Sequence, residues 1–299
     1  MRTEASKRRS YWIMELAKLS GSFGNHSTRM IEELSAEIRN EGSAALIDHL
    51  RLCGTMPEQY RHDSSEEKLY SKYTDAIISE AFTFIGMKSA VITARADAAD
   101  VIGHGSGFSL VADAKAFRLS RTAKNQKDFK IQAMDGWRGE FDYAVVICPI
   151  YQLPASVSQI YQQAIARNVC ILSYSHLAAL VGLTTRRSAK PAEEGLHAIL
   201  KSVSFLNPSK SAVDYWMRIN RSLLDALGGA IELWEIEKIA SIEALQSLKE
   251  ESLQYLRTER VRLLSLTHQQ ALDELIQRTG LNSRIAQIER IEHGRLLGI

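Results

Sequence analysis

The sequence predicts an α/β protein, with a mixed central sheet flanked by helices and helical regions at both ends of the chain. Three observations carry this expectation. Residues 1–87 place apolar side chains mostly at helical intervals, residues 88–184 alternate short apolar runs with helical stretches, and residues 185–299 return to a helical period almost to the end. At 299 residues, with 45% hydrophobic and 24% charged side chains and no obvious linker between these regions, the chain reads as one compact unit, 1–299, large enough to bury a sizeable core.

Taken in order, the elements follow from local chemistry. Ser64-x-x-Glu67 has capping-box spacing, and Leu69, Ala76, Ile77, Ala81 and Phe84 follow at helical intervals up to Gly86. Residues 100–103 and 109–115 read as strands joined by a hairpin turn, Gly103-His104-Gly105-Ser106-Gly107. No Lys-Ser or Lys-Thr follows those glycines and they lack GxGxxG spacing, which argues against a nucleotide-binding loop. A helix over about 122–137 is expected from Phe129, Ala133 and Trp137, then a buried strand over 143–148 stopped by Pro149. Residues 156–166 read as a helix and 169–174 as a strand, with Ser175 capping a short helix through Leu180 and Val181. Beyond Lys190, Thr267-x-x-Gln270 is a second capping box, Gly280 a helix stop and Asn282-Ser283 a new start.

The chemistry-bearing residues cluster around the second strand. Side chains two apart on a strand share a face, so Asp113 and Lys115 project together with Val111, while Leu110, Ala112 and Ala114 line the other side. The hairpin brings Asp100 beside them. A carboxylate that holds a metal and a lysine that assists water are what hydrolysis of a phosphodiester needs, because the phosphate anion repels the incoming nucleophile. Glu66-Glu67-Lys68 and Asp128-Phe129-Lys130 repeat the acid-x-Lys spacing, so the triplet alone leaves open a strand end with solvated charges. Only the copy at 113–115 sits on an apolar strand with another Asp at the mouth of the preceding hairpin. From 115 to 130 six Lys or Arg, at 115, 118, 121, 124, 127 and 130, face one acid, Asp128. Such a run fits a nucleic-acid backbone or a solvated helix face.

Other classes find no support. The overall net charge of +2 says little about partners. Cys53, Cys148 and Cys170 form no CxxC and cannot all pair, and the eight histidines show no metal-ligand spacing. The basic first residues lack the apolar stretch of a secretion signal, and no run reaches membrane-spanning length, so the expected location is the cytoplasm.

The segment 110–130, LVADAKAFRLSRTAKNQKDFK, resembles the corresponding segment of the HindIII-type restriction endonuclease family, within the PD-(D/E)xK nuclease superfamily, almost residue for residue. Segments 64–81, 142–183 and 281–289 echo that family in the same order. The resemblance implies a type II restriction endonuclease with a PD-(D/E)xK core in residues 88–184. Its catalytic residues would be Asp100, Asp113 and Lys115, with Mg²⁺ held by Asp100, Asp113 and the Ala114 carbonyl. An acid from a preceding helix joins the metal site in several such nucleases, and Glu67 is the candidate by position; a simple cap contact is the other reading. The resemblance also implies reading of the palindrome AAGCTT in double-stranded DNA, cleavage after the first A, and 5′-phosphate ends. The DNA-binding residues would be Arg118, Arg121, Lys124, Asn125, Lys127, Asp128 and Lys130, whose side chains can read base edges or hold phosphates. A palindrome implies a homodimer, and a restriction enzyme implies a partner DNA methyltransferase that protects the host. Two departures stand out: Asp100 follows Ala98-Ala99 rather than proline, and Thr93 occupies a position that is acidic in the family. A nuclease that reads DNA structure, or a DNA-binding protein in which Asp113 and Lys115 merely pair, remain the alternatives.

Overall fold

The computed structural model describes residues 4–18, 23–92, 98–121 and 126–290. Helices α1 (Glu4–Lys18), α2 (Phe23–Glu41), α3 (Ser43–Leu52) and α4 (Ser65–Ile85) precede the sheet. The start of α4 is fixed by Ser64, whose Oγ accepts from the Glu67 N–H, and its end by Gly86 at φ +108°, a left-handed conformation that glycine adopts without a Cβ clash. Every residue from Tyr73 to Ser79 is buried, so α4 is enclosed all round rather than along one stripe.

Five strands form one sheet in the order β1 (Lys88–Val91), β2 (Val101–His104), β3 (Ser109–Ala114), β4 (Tyr143–Cys148) and β5 (Val169–Ser173). The first three run antiparallel, and β3, β4 and β5 are parallel, which gives the mixed sheet expected. The sequences of β4 and β5, YAVVIC and VCILS, are continuous apolar runs because parallel strands are covered on both faces. Helix α4 packs on β1, β2 and β3, while α6 (Ile131–Arg138) packs on β3, β4 and β5. The edge strand β1 has no counterpart in the sequence reading. Its four residues, KSAV, alternate exposed with half-buried and carry a single β-branched side chain, too little to mark a strand.

Between β3 and β4 the sequence predicts one helix over 122–137. Residues 122–125 lie outside the described residues, and the remainder is broken in two: α5 (Gln126–Phe129) ends where Lys130 takes φ +48°, and α6 begins after it. The left-handed turn redirects the chain so that Phe129 and Ile131 are both buried. Helix α7 (Gln159–Ala166) connects β4 to β5, is capped by Ser158 and starts three residues later than expected. Helix α8 (Tyr174–Arg186) is capped by Ser173 rather than Ser175 and is longer than the short helix expected.

The α8 cap contains a buried histidine with a pH consequence. His176 Nδ1 accepts from the Ser173 hydroxyl at 2.6 Å, and its Nε2–H donates to Asn220 Oδ1 at 3.0 Å, an arrangement that suits the neutral ring. Burial pushes its pKa down from 6.5 to about 4, opposed by the Asn220 hydrogen bond. Below pH 6.5 the unfolded chain takes up a proton that the folded chain refuses until about pH 4, so stability is full above 6.5 and declines between these values. The loss is on the order of 3 kcal/mol. Urea unfolding at pH 7 and pH 5 should show the wild type weakening and His176→Gln weakening less; equal slopes would assign the effect elsewhere.

Helices α9 (Ala189–Ser202), α10 (Ala212–Leu227), α11 (Glu232–Leu264), α12 (His268–Thr279) and α13 (Leu281–Glu289) complete the described chain. The Thr267 capping box and the Gly280 stop are present, with Gly280 at φ +65° and α13 beginning at Leu281. The chain divides into two compact units, Met1–Ser252, with the sheet and its core, and Leu253–Ile299. In the second, Glu259 and Arg262 of α11 pair with Glu274 and Arg278 of α12. Neither α12 nor α13 has a buried residue. The three cysteines are free and buried, and among the described residues no helix is long and apolar enough to cross a membrane.

Candidate active site

The hairpin register builds the site. Val101 pairs with Ala112 and Ile102 with Val111; one further step in this antiparallel register sets Asp100 opposite Asp113. Directly opposed residues have Cβ atoms about 5 Å apart and on one face, so the register sets Asp100 and Asp113 on the same face of the hairpin. The turn lies at the other end of the hairpin, closed by the Gly105 N–H to the Phe108 carbonyl and held by Glu193, which accepts from the Ser106 N–H and hydroxyl. His104 sits at that turn end, exposed and tilted against Phe141, away from the carboxylates.

Asp113 is 2% exposed and Lys115 8%, and Lys115 Nζ donates to Asp113 Oδ2 at 2.5 Å. Two ionised groups this deep persist because each neutralises the other. The Lys115 backbone is clamped on both sides: its N–H donates to the Ile147 carbonyl at 2.7 Å, and its carbonyl accepts from the Tyr174 hydroxyl at 3.0 Å. Behind it, Gly54 lies so close that a Cβ there would stand 2.8 Å from Pro149 Cβ and from the Tyr174 ring. The backbone at Lys115 is thus hydrogen-bonded on both sides.

Two residues that sequence reasoning missed complete the cluster, and both come from α4. Lys72 Nζ donates to Asp100 Oδ1 at 2.6 Å and to Asp75 Oδ2 at 3.0 Å. Burial holds the Asp75 carboxyl well above the usual carboxylate range, with Asp100 and Asp113 adding repulsion and Lys72 opposing it. The available signal was an Asp inside the apolar run TDAIISEAF, where a buried charge requires a partner. Glu67 is placed elsewhere: its oxygens accept from Arg118 Nη1 at 3.1 Å and from the Asp63 N–H at 2.6 Å, at the first turn of α4 and eight residues before Asp75.

Asp75, Asp100 and Asp113 offer hard oxygen donors, the chemistry suited to Mg²⁺. Each is held by a lysine, and among the described residues no three His, Cys, Asp or Glu stand together at metal-holding distance.

The basic segment leaves this centre along a cradle. Thr55 forms a parallel bridge with Phe117, Gly54 O accepts from the Phe117 N–H, and Glu58 accepts from the Ser120 N–H and hydroxyl. Gln152 Nε2 donates to the Arg121 carbonyl at 3.0 Å. Arg118 is committed to Glu67 and to the Tyr60 carbonyl. Arg121 pairs with Asp128 and lies over the Phe117 ring. Lys127 and Lys130 are exposed, the latter over Trp137. Lys124, Asn125 and Thr93 fall outside the described residues.

The HindIII restriction endonuclease family matches residues 9–292. Over 266 residues the chain is 34% identical to the type II restriction enzyme HindIII of Haemophilus influenzae (strain ATCC 51907 / DSM 11121 / KW20 / Rd), covering 86% of this chain and 85% of that enzyme.

Proposed function

Because this chain belongs to the HindIII restriction endonuclease family, and so to the type II site-specific deoxyribonucleases, we propose that it cuts double-stranded DNA at AAGCTT after the first A with Mg²⁺. The single observation that supports the catalytic assignment is the hairpin register, which opposes Asp100 and Asp113 with the Lys115 ammonium on Asp113.

In this reading Asp100, Asp113 and the Ala114 carbonyl would hold Mg²⁺, with Asp75 rather than Glu67 as the acid from the preceding helix. When bound, the ion supplies Lewis-acid polarisation of the phosphate and a more acidic water. Lys115 orients the attacking water and donates to the charge that develops on the phosphate, from a backbone that Ile147 and Tyr174 hold still. In-line attack leaves a 5′-phosphate and a 3′-hydroxyl. The oxygen-only donor set supports Mg²⁺.

Arg118, Arg121, Lys124, Asn125, Lys127, Asp128 and Lys130 form the DNA-contacting block. Lys127 and Lys130 are the exposed cations suited to phosphates, whereas Arg118 and Arg121 hold the segment through Glu67 and Asp128. Two copies on a twofold axis serve the two half-sites, and the exposed Leu272, Leu275, Leu281, Ile285 and Ile288 are the kind of surface that pairing covers. A cognate methyltransferase would protect the host, and the cytoplasm is where this chemistry meets DNA.

Digestion of a plasmid of known sequence, followed by mapping of the fragment ends, tests the reading. Discrete fragments ending within AAGCTT support it. Preference for branched or damaged substrates would indicate a structure-reading nuclease, and a shifted band without product a binding protein; either result overturns it.

A further inference from the structure

Lys72 is the charged group of the cluster that the proposed chemistry does not use. It lies one helical turn before Asp75, and its ammonium bridges Asp75 of α4 to Asp100 of the hairpin. Asp113 has its own cation in Lys115, so two ammonium groups are interleaved among three carboxylates. Asp75 and its lysine are largely enclosed, at 3% and 19% side-chain exposure, where an ion pair is screened less than at the surface. Lys72 occupies Oδ1 of Asp100, at 2.6 Å, on a carboxylate that the reading above gives to the divalent cation.

From this geometry we infer that Lys72 is a built-in competitor for the metal, a positioning residue that ties Asp100 to α4 and must let go when the ion enters. The inference rests on the metal assignment above and adds its regulation. Metal loading of the DNA-free enzyme is held back, and an ammonium displaced from Asp100 is available to a DNA phosphate, so metal and DNA favour each other's binding. Coupling of this kind typically changes affinity by about five- to 150-fold.

The test uses the full-length enzyme without DNA, titrated with Mn²⁺ while free Mn²⁺ is followed by electron paramagnetic resonance. Lys72→Met should bind Mn²⁺ at least about fivefold more tightly than wild type, and Lys72→Arg, which keeps the bridge, about as wild type does. In parallel, the acetylation rate of Lys72 in wild-type enzyme, read by mass spectrometry, should rise when Mn²⁺ is added; this arm does not depend on any variant folding. Equal or weaker Mn²⁺ binding by a folded Lys72→Met, or an unchanged acetylation rate on a metal-loaded enzyme, would overturn the role of Lys72 alone. Absence of Mn²⁺ binding to both proteins would overturn the metal assignment as well.

Discussion

Lys115→Ala should abolish cutting of DNA while the protein still binds it. The ammonium stands at the end of β3 on the same face as Asp113, which it contacts at 2.5 Å, and no other lysine shares that carboxylate among the described ion pairs. Alanine removes the donor that orients water and meets developing phosphate charge, so the rate should fall by at least about 100-fold. In the proposed reading, binding draws on Lys127 and Lys130, which are exposed and which the substitution leaves in place. Single-turnover cleavage of a duplex containing AAGCTT, together with a gel-shift assay on the same duplex, separates the two effects. Turnover near the wild-type rate would remove Lys115 from the mechanism; loss of binding in parallel with cutting would make it a structural residue.

Asp113→Asn has the second large consequence, and it falls on stability as well as activity. With the carboxylate gone, Lys115 is left 8% exposed and without its counter-ion, and breaking a buried pair from one side costs about 3–5 kcal/mol. Removing both charges is different. In Asp113→Asn combined with Lys115→Met nothing ionised stays buried at that place, and much of the stability should return although cleavage does not. Urea unfolding of the two single variants and the double variant measures the coupling. Additive losses would show that the two groups are not a pair in solution.

Much of the candidate site's geometry was legible because a hairpin is a local object. Ser109–Ala114 is a short apolar run that carries Asp113, Gly105 and Gly107 mark the turn before it, and the register then sets Asp100 opposite Asp113. What the sequence hid is long-range. Asp75 and Lys72 belong to a helix whose apolar positions read as ordinary core; only the docking of α4 on β1 to β3 turns an isolated Asp into a member of the carboxylate cluster. Glu67 was chosen for its place in the first turn of that same helix, yet the chain after β3 brings Arg118 to it and uses it to fasten the basic segment. The helix break at Lys130 was equally invisible, because the pattern Phe129, Ala133, Trp137 continues across it while one positive φ changes direction. Beyond Ser252 the periodicity identified the helices and two of their caps, but helical period does not state which faces find a partner, and neither α12 nor α13 buries a residue.

The central claim is that the opposed carboxylates of Asp100 and Asp113 share one divalent ion at the scissile phosphate. Asp100 is the better probe, since its side chain is 30% exposed and its substitution leaves the buried Asp113–Lys115 pair intact. The measurement is the single-turnover cleavage rate as a function of Mg²⁺ concentration for wild type and Asp100→Asn. The account predicts a saturating wild-type curve and, for the variant, a higher Mg²⁺ midpoint with a maximal rate lower by at least about 100-fold. A variant that cleaves at the wild-type rate with an unchanged Mg²⁺ midpoint would contradict it.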